Sequence, residues 1–192
     1  YIPIVLLLVA ALIMSFMLWK GLQNTKSSGN TAIIDNVKVV PVTVESIHSY
    51  DPNGDDGREN EDMIPALSDN NPATTWTTVC YGDKYFGSKG GLGILLKLSG
   101  VGIGTLTANF ANGPWSAEVF VSTADTPPTG LNDWGLRVAD ASSESASVGT
   151  FAIEQPAQNV LLLLRRIGTS STCSNTNPYK GVLSEVGFTS AK

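Results

Sequence analysis

Apolar and polar positions fall into three patterns along this chain. Residues 1 to 19, from Tyr1 to Trp19, form one unbroken apolar run without a charged side chain. At ~1.5 Å rise per residue a helix of this length approaches the ~30 Å hydrocarbon core of a bilayer. Trp19 and Lys20 then supply an interfacial ring and a snorkelling cation. A single membrane-spanning helix over 1–22 is therefore expected, in contact with membrane lipid. The chain opens inside the apolar run with neither an initiator Met nor an upstream basic residue, which fits a piece of a longer protein better than a signal peptide. Residues 23–37 are rich in Gly, Ser, Asn and Thr and read as a flexible linker.

From residue 38 to 192 the pattern changes to short β-branched and apolar runs broken by Gly, Pro, Asn and Asp. Alternation is plain from Ala117 to Val121, whereas Leu161 to Leu164 form a continuous apolar run, as expected for a strand covered on both faces. Only the stretch from Met63 to Leu67 suggests a helical turn. Gly87–Gly91 and Gly100–Gly104 read as turns, since neither has the spacing of a phosphate-binding loop. Seven or eight short strands without an internal repeat predict an all-β sandwich.

Charge and cysteine usage narrow the picture. All 12 basic and 17 acidic residues lie beyond residue 19, and the basic ones are scattered apart from Arg165-Arg166. No basic stripe is available to neutralise phosphates, so nucleic acid is excluded as a main partner. Cys80 and Cys173 have no metal-ligand spacing and predict one disulfide, hence an extracytoplasmic domain, with two inert buried thiols as the alternative. Lys20 and Lys26 after the span argue mildly for the opposite orientation.

The single histidine, His48, sits in a strand pattern beside no nucleophile, and the carboxylates lack the deep cleft that glycoside hydrolysis needs. The chain is not expected to be an enzyme. Tyr81, Tyr85, Phe86, Trp115, Trp134 and Tyr179 lie near turns, and flat sugar faces stack on exposed aromatic rings. Trp115, beside Gly113-Pro114, and Trp134, beside Asn132-Asp133, are the best exposed candidates. With Arg165 and Arg166 they make the expected ligand-binding set. Each ring has a core position as its alternative, and Trp76 is assigned to the core.

The densest signal runs from Asp51 to Tyr81, where an acidic loop precedes Asp69-Asn70-Asn71-Pro72-Ala73-Thr74-Thr75-Trp76. This resembles the Asp-Gly-Asp-x-x-Thr-x-Trp motif of the discoidin, or coagulation factor 5/8 type C, family. Gly90 to Leu98 and Gly181 to Phe188 extend the likeness as a following and a closing strand. The resemblance implies a galactose-binding-like jelly-roll β-sandwich. The anchor, tether and Asp-Pro-x-Gly-Asp loop further resemble the extracytoplasmic C-terminus of actinobacterial MviN/MurJ-type proteins, in which a lipid II flippase is fused to a pseudokinase.

What the resemblance implies is a binding module at the cell membrane. Its partner would be a cell-wall glycan or lipid-linked peptidoglycan precursor, or else a membrane protein on which the module docks without sugar. It also implies structural calcium, with oxygens from Asp69, Asn71, Thr74 and Glu185, although Asn71 stands where the family carries an acid and weakens the site. The competing reading of Asp69 and Thr74 is an Asx-type turn that satisfies its own backbone. The acidic run Asp51–Asp62 departs from an EF-hand loop through Pro52 and the late Gly57. It reads as a solvated loop, or as extra carboxylates near the same ion.

Overall fold

The computed structural model describes residues 41–191. The membrane span expected over 1–22 and the linker over 23–37 lie outside them. No helix among the described residues is long and apolar enough to cross a membrane.

Nine strands follow in order: β1 (Val44–Tyr50), β2 (Trp76–Thr77), β3 (Leu92–Phe110), β4 (Trp115–Ser122), β5 (Ala139–Ser143), β6 (Ser147–Arg166), β7 (Gly168–Thr169), β8 (Tyr179–Lys180) and β9 (Val182–Ser190). Two of them are far longer than a sequence of short runs suggests. β3 has 19 residues and β6 has 20, and they pair antiparallel along both their halves. Their register breaks between Lys97 and Gly104, and there both strands pass from one layer of the sandwich into the other. The expected turn at Gly100–Gly104 is thus a bend inside a continuous strand.

One layer joins β1, the first half of β3, the second half of β6, β4 and β5. The other joins β2, β9, the second half of β3 and the first half of β6. Gly93 marks the closest approach of β3 to β6, where a Cβ would collide with the Leu162 carbonyl.

Alternation decides which side chains fill the space between layers. Leu92, Ile94, Leu96 and Leu98 of β3 meet Val160, Leu162 and Leu164 of β6 and Val119 of β4, and the second layer contributes Leu106, Phe110, Phe151, Ile153 and Leu183. The intervening residues Leu95, Phe120, Leu161 and Leu163 face the other way. They are buried too, under a second apolar cluster completed by Tyr50 and Trp134. The segment after β4 therefore folds back over the sheet's outer face, which is why Leu161 to Leu164 carry no polar residue.

The helical turn suggested around Met63–Leu67 is a 3-10 helix over Glu61–Leu67 that buries Ile64 and Leu67. Two further short 3-10 helices, Gly87–Lys89 and Leu131–Trp134, had no sequence signal of their own. The Cys80–Cys173 disulfide is present, with Cα atoms 5.8 Å apart, and ties the segment after β2 to the β7–β8 connection.

The two ends of the sandwich differ in what they carry. At one end Val42 packs on the bend of β3 at Gly100 and Gly102, and the Ala191 amide donates to the Ile103 carbonyl, so the chain enters and leaves there. The other end gathers the segments after β1, β2, β3 and β5, the disulfide and the β7–β8 hairpin.

Candidate functional site

At that second end, the loop Gly82–Gly91 forms a shelf held from beneath. Two adjacent rings, Tyr85 and Phe86, face opposite ways. Phe86 adopts a left-handed backbone (φ 67°), a conformation a bulky residue sustains only when packing compensates for it. That packing is visible: Phe86 is buried and meets Tyr81 edge-to-face at 5.1 Å between ring centroids. Tyr85 is left 53% exposed. The Asp83 carboxylate accepts from the Tyr85 amide, and Lys84 places its ammonium over the Tyr85 ring, 5.1 Å from the centroid.

Below the shelf lies a buried polar network. Asp51, only 1% exposed, accepts from Lys89 Nζ at 2.5 Å, and Lys89 also reaches the Tyr81 hydroxyl. Tyr81 in turn donates to Glu59, whose other carboxylate oxygen accepts from the Val79 amide. Burial raises the Glu59 pKa, opposed by the Val79 and Tyr81 hydrogen bonds. Tyr81 is pushed up by burial first and then by the charge of Glu59, so its hydroxyl keeps its proton and acts as a donor. Asp51 and Glu59 are thus not the solvated loop residues of one reading of the acidic run: both are buried, and Asp51 Oδ1 has no hydrogen-bond partner among the described residues. They clamp Tyr81 and Lys89, which bracket the shelf.

Arg165 and Arg166 border the shelf with different engagements. Arg165 bonds Glu118 (Nε to Oε2, 2.7 Å) and donates to the Gly90 carbonyl at the end of the shelf loop. Burial disfavours ionised Glu118, but hydrogen bonds from Arg165 and then Arg137 outweigh it and hold its carboxyl below the usual range. Arg166 presents its outer fork to Glu144 at 2.8 and 3.2 Å, while its Nε is buried without a partner among the described residues. Glu144 is held low chiefly by that hydrogen bond, with Lys84 close enough to contribute.

Trp115 and Trp134 do not meet the expectation of exposure. Trp115 is 3% exposed because, as the first residue of β4, it faces inward and stacks on Phe110 at 3.8 Å. Trp134 is 4% exposed, closes the outer cluster and donates from Nε1 to the Tyr50 hydroxyl. Neither ring offers a face to a ligand. Tyr85 is instead the ring left exposed at this end, and selection by turn composition passed it over. The signal for it was an aromatic pair between glycines, of which only one ring could enter the core.

The implied calcium residues come together only in part. Asp69 Oδ1 accepts from the Asn71 amide and Oδ2 from the Thr74 hydroxyl, and these bonds lower the Asp69 pKa, the Thr74 bond most. This is the self-satisfied turn. Asn70 takes the left-handed conformation at φ 59°, in the place where the family carries glycine. Glu185, on β9, lines a cleft with Ser68, Asn70 and Pro72 from either side of Asp69, and its Oε1 is buried and unpaired. That orphaned oxygen fits a cation at the cleft. Among the described residues no three His, Cys, Asp or Glu side chains gather around one point. His48, in β1, bonds Glu61 at 2.6 Å and joins that strand to the 3-10 helix.

No family model matches the chain. Among solved structures, it is similar to the CBM32 of AlyQ in complex with 4,5-unsaturated mannuronic acid, at 12% identity over 78% of this chain and 97% of that one, with a TM-score of 0.50. It is also similar to the CBM32-1 and CBM32-2 domains of Clostridium perfringens ZmpB in complex with GalNAc, at 13% identity over 83% of this chain and 37% of that one, TM-score 0.52. A longer ZmpB structure that includes the M60 catalytic domain matches at 15% identity over 85% of this chain and 16% of that one, TM-score 0.52. At these identities the likeness is one of fold: residues 41–191 form an all-β sandwich that resembles the fold of these modules.

Proposed function

We propose that this chain is a non-catalytic glycan-binding module, held at the outer face of a membrane by residues 1–22, with Tyr85 as the platform of its ligand surface. The observation that carries the reading is the exposed Tyr85 ring on a loop fixed by a buried ring, an ion pair and a nearby disulfide, at the end remote from where the chain enters and leaves. A site held rigid before binding loses little ordering entropy on association. The fold supports the reading because solved sandwiches of this type include sugar complexes.

The preferred ligand class is a cell-wall glycan or lipid-linked peptidoglycan precursor, in keeping with the resemblance to MviN/MurJ-type C-termini. Calcium belongs to the same proposal in a structural role. Glu185 would hold the ion at the cleft it lines with Ser68, Asn70 and Pro72, with Asp69, Asn71 and Thr74 joining only by giving up bonds within their own turn, and the ion would supply a fixed positive charge between β9 and the turn.

The test is calorimetric titration of the full chain in detergent with soluble muropeptides and lipid-linked precursor. Binding lost in Tyr85→Ala, with melting temperature unchanged, is the expected result. Absence of binding at millimolar ligand would overturn the glycan reading in favour of a module that docks on partner membrane proteins.

A further inference from the structure

Charge around Tyr85 is arranged with a bias. Lys84, half-buried and over the ring, has no carboxylate within ion-pair distance among the described residues. Its backbone carbonyl accepts from the Ile167 amide, which fixes the shelf to the chain just after Arg166. Arg166 is 24% exposed in its side chain and anchored by strand pairing to Ser116. Of the two nearby acids, Asp83 is committed to the Tyr85 amide. The other, Glu144, is 81% exposed, sits just beyond the end of β5 and grips the Arg166 fork with both oxygens.

A planar guanidinium that already holds a carboxylate in two-point geometry is a carboxylate receptor. An ion pair with so exposed a partner is worth little, so an incoming carboxylate can exchange with Glu144 at small cost. We propose that the Tyr85 shelf selects sugars that carry a carboxylate, with the ring face on Tyr85, the acid group on Arg166 assisted by Lys84, and Glu144 as a built-in competitor for that receptor. This rests on the glycan-binding reading and specifies the substrate class of the same surface. Uronic acids and sugars with an acidic ether substituent both satisfy the chemistry.

The experiment compares matched pairs that differ in an acid group, galacturonic acid against galactose and N-acetylmuramic acid against N-acetylglucosamine, by NMR titration of the full chain in detergent. The acidic member of each pair should bind roughly tenfold more tightly, a difference that shrinks at high salt. Glu144→Gln, at an exposed position where folding is not at stake, should tighten the acidic sugars about threefold and leave the neutral ones unchanged. Arg166→Gln should erase the preference, and Tyr85→Ala should weaken both members alike. Neutral and acidic sugars binding equally, dependent on Tyr85 and indifferent to Glu144→Gln, would overturn the selectivity and leave the glycan reading standing. Failure of all four sugars and of muropeptides to bind would overturn that reading as well.

Discussion

The Asp69–Thr74 turn and the Tyr85 shelf make opposite use of polar groups. In the turn, both oxygens of Asp69 are already occupied by its own neighbours, so a segment rich in ligand-type oxygens is locally content. In the shelf the polar groups lie beneath the loop, where Asp51, Lys89, Tyr81 and Glu59 hold one another, and the upper face keeps an aromatic ring. Residue types that suit a ligand therefore do not locate a site by themselves. A site emerges where structural needs are met on one side and a surface is left over on the other.

The largest effect is expected where the support under the shelf is removed. Asp51→Ala strips a buried carboxylate from Lys89 and should cost about 3 to 5 kcal/mol, read by urea unfolding. Glycan binding should fall with it, whereas Asp51→Ala with unaltered unfolding would show that the shelf does not depend on the clamp.

A smaller effect is expected at the shelf's flank. Glu118 orients Arg165, which reaches the Gly90 carbonyl, so Glu118→Gln should cost about 1 to 2 kcal/mol at neutral pH. Because its folded pKa is depressed, that contribution is complete above the ordinary value of 4.5 and is lost as pH falls through the folded value. Unfolding curves of the two proteins should diverge at pH 7 and converge as pH falls through the depressed folded pKa of Glu118. A constant gap across that range would remove Glu118 ionisation from the account.

The least costly change is expected in the turn. Asp69→Asn keeps the side chain's shape at an exposed turn and should leave stability nearly unchanged without calcium. Added calcium should raise the melting temperature of the parent protein more than that of Asp69→Asn or Glu185→Gln. Equal shifts in all three proteins would dismiss the site.

Much of the sandwich was legible because strand alternation is a local signal. The disulfide partners were legible because only two cysteines exist. The long bent strands were not: Gly100 to Gly104 have turn composition, and only pairing with β6 and β9 makes them strand. The tryptophans were misjudged for a related reason. Gly113-Pro114 and Asn132-Asp133 announce a change of direction, yet exposure depends on what the chain then meets. For Trp134 the answer lay in Leu161 and Leu163, far along the chain in β6, whose apolar outer face required a cover. Arg165 and Arg166 stand out in the sequence as the one basic pair, but their different engagements depend on Glu118 and Glu144, which no spacing rule connects to them.

The bend of β3 has a mechanical consequence. Val42 bears on it from the incoming chain and Ala191 bonds to it from the outgoing one, so tension on either end enters the domain at the middle of a strand shared by both layers. The shelf hangs from the opposite tips of the same long strands, off the line of force. A load on the chain can thus be carried through the bend while the exposed Tyr85 ring stays unstrained.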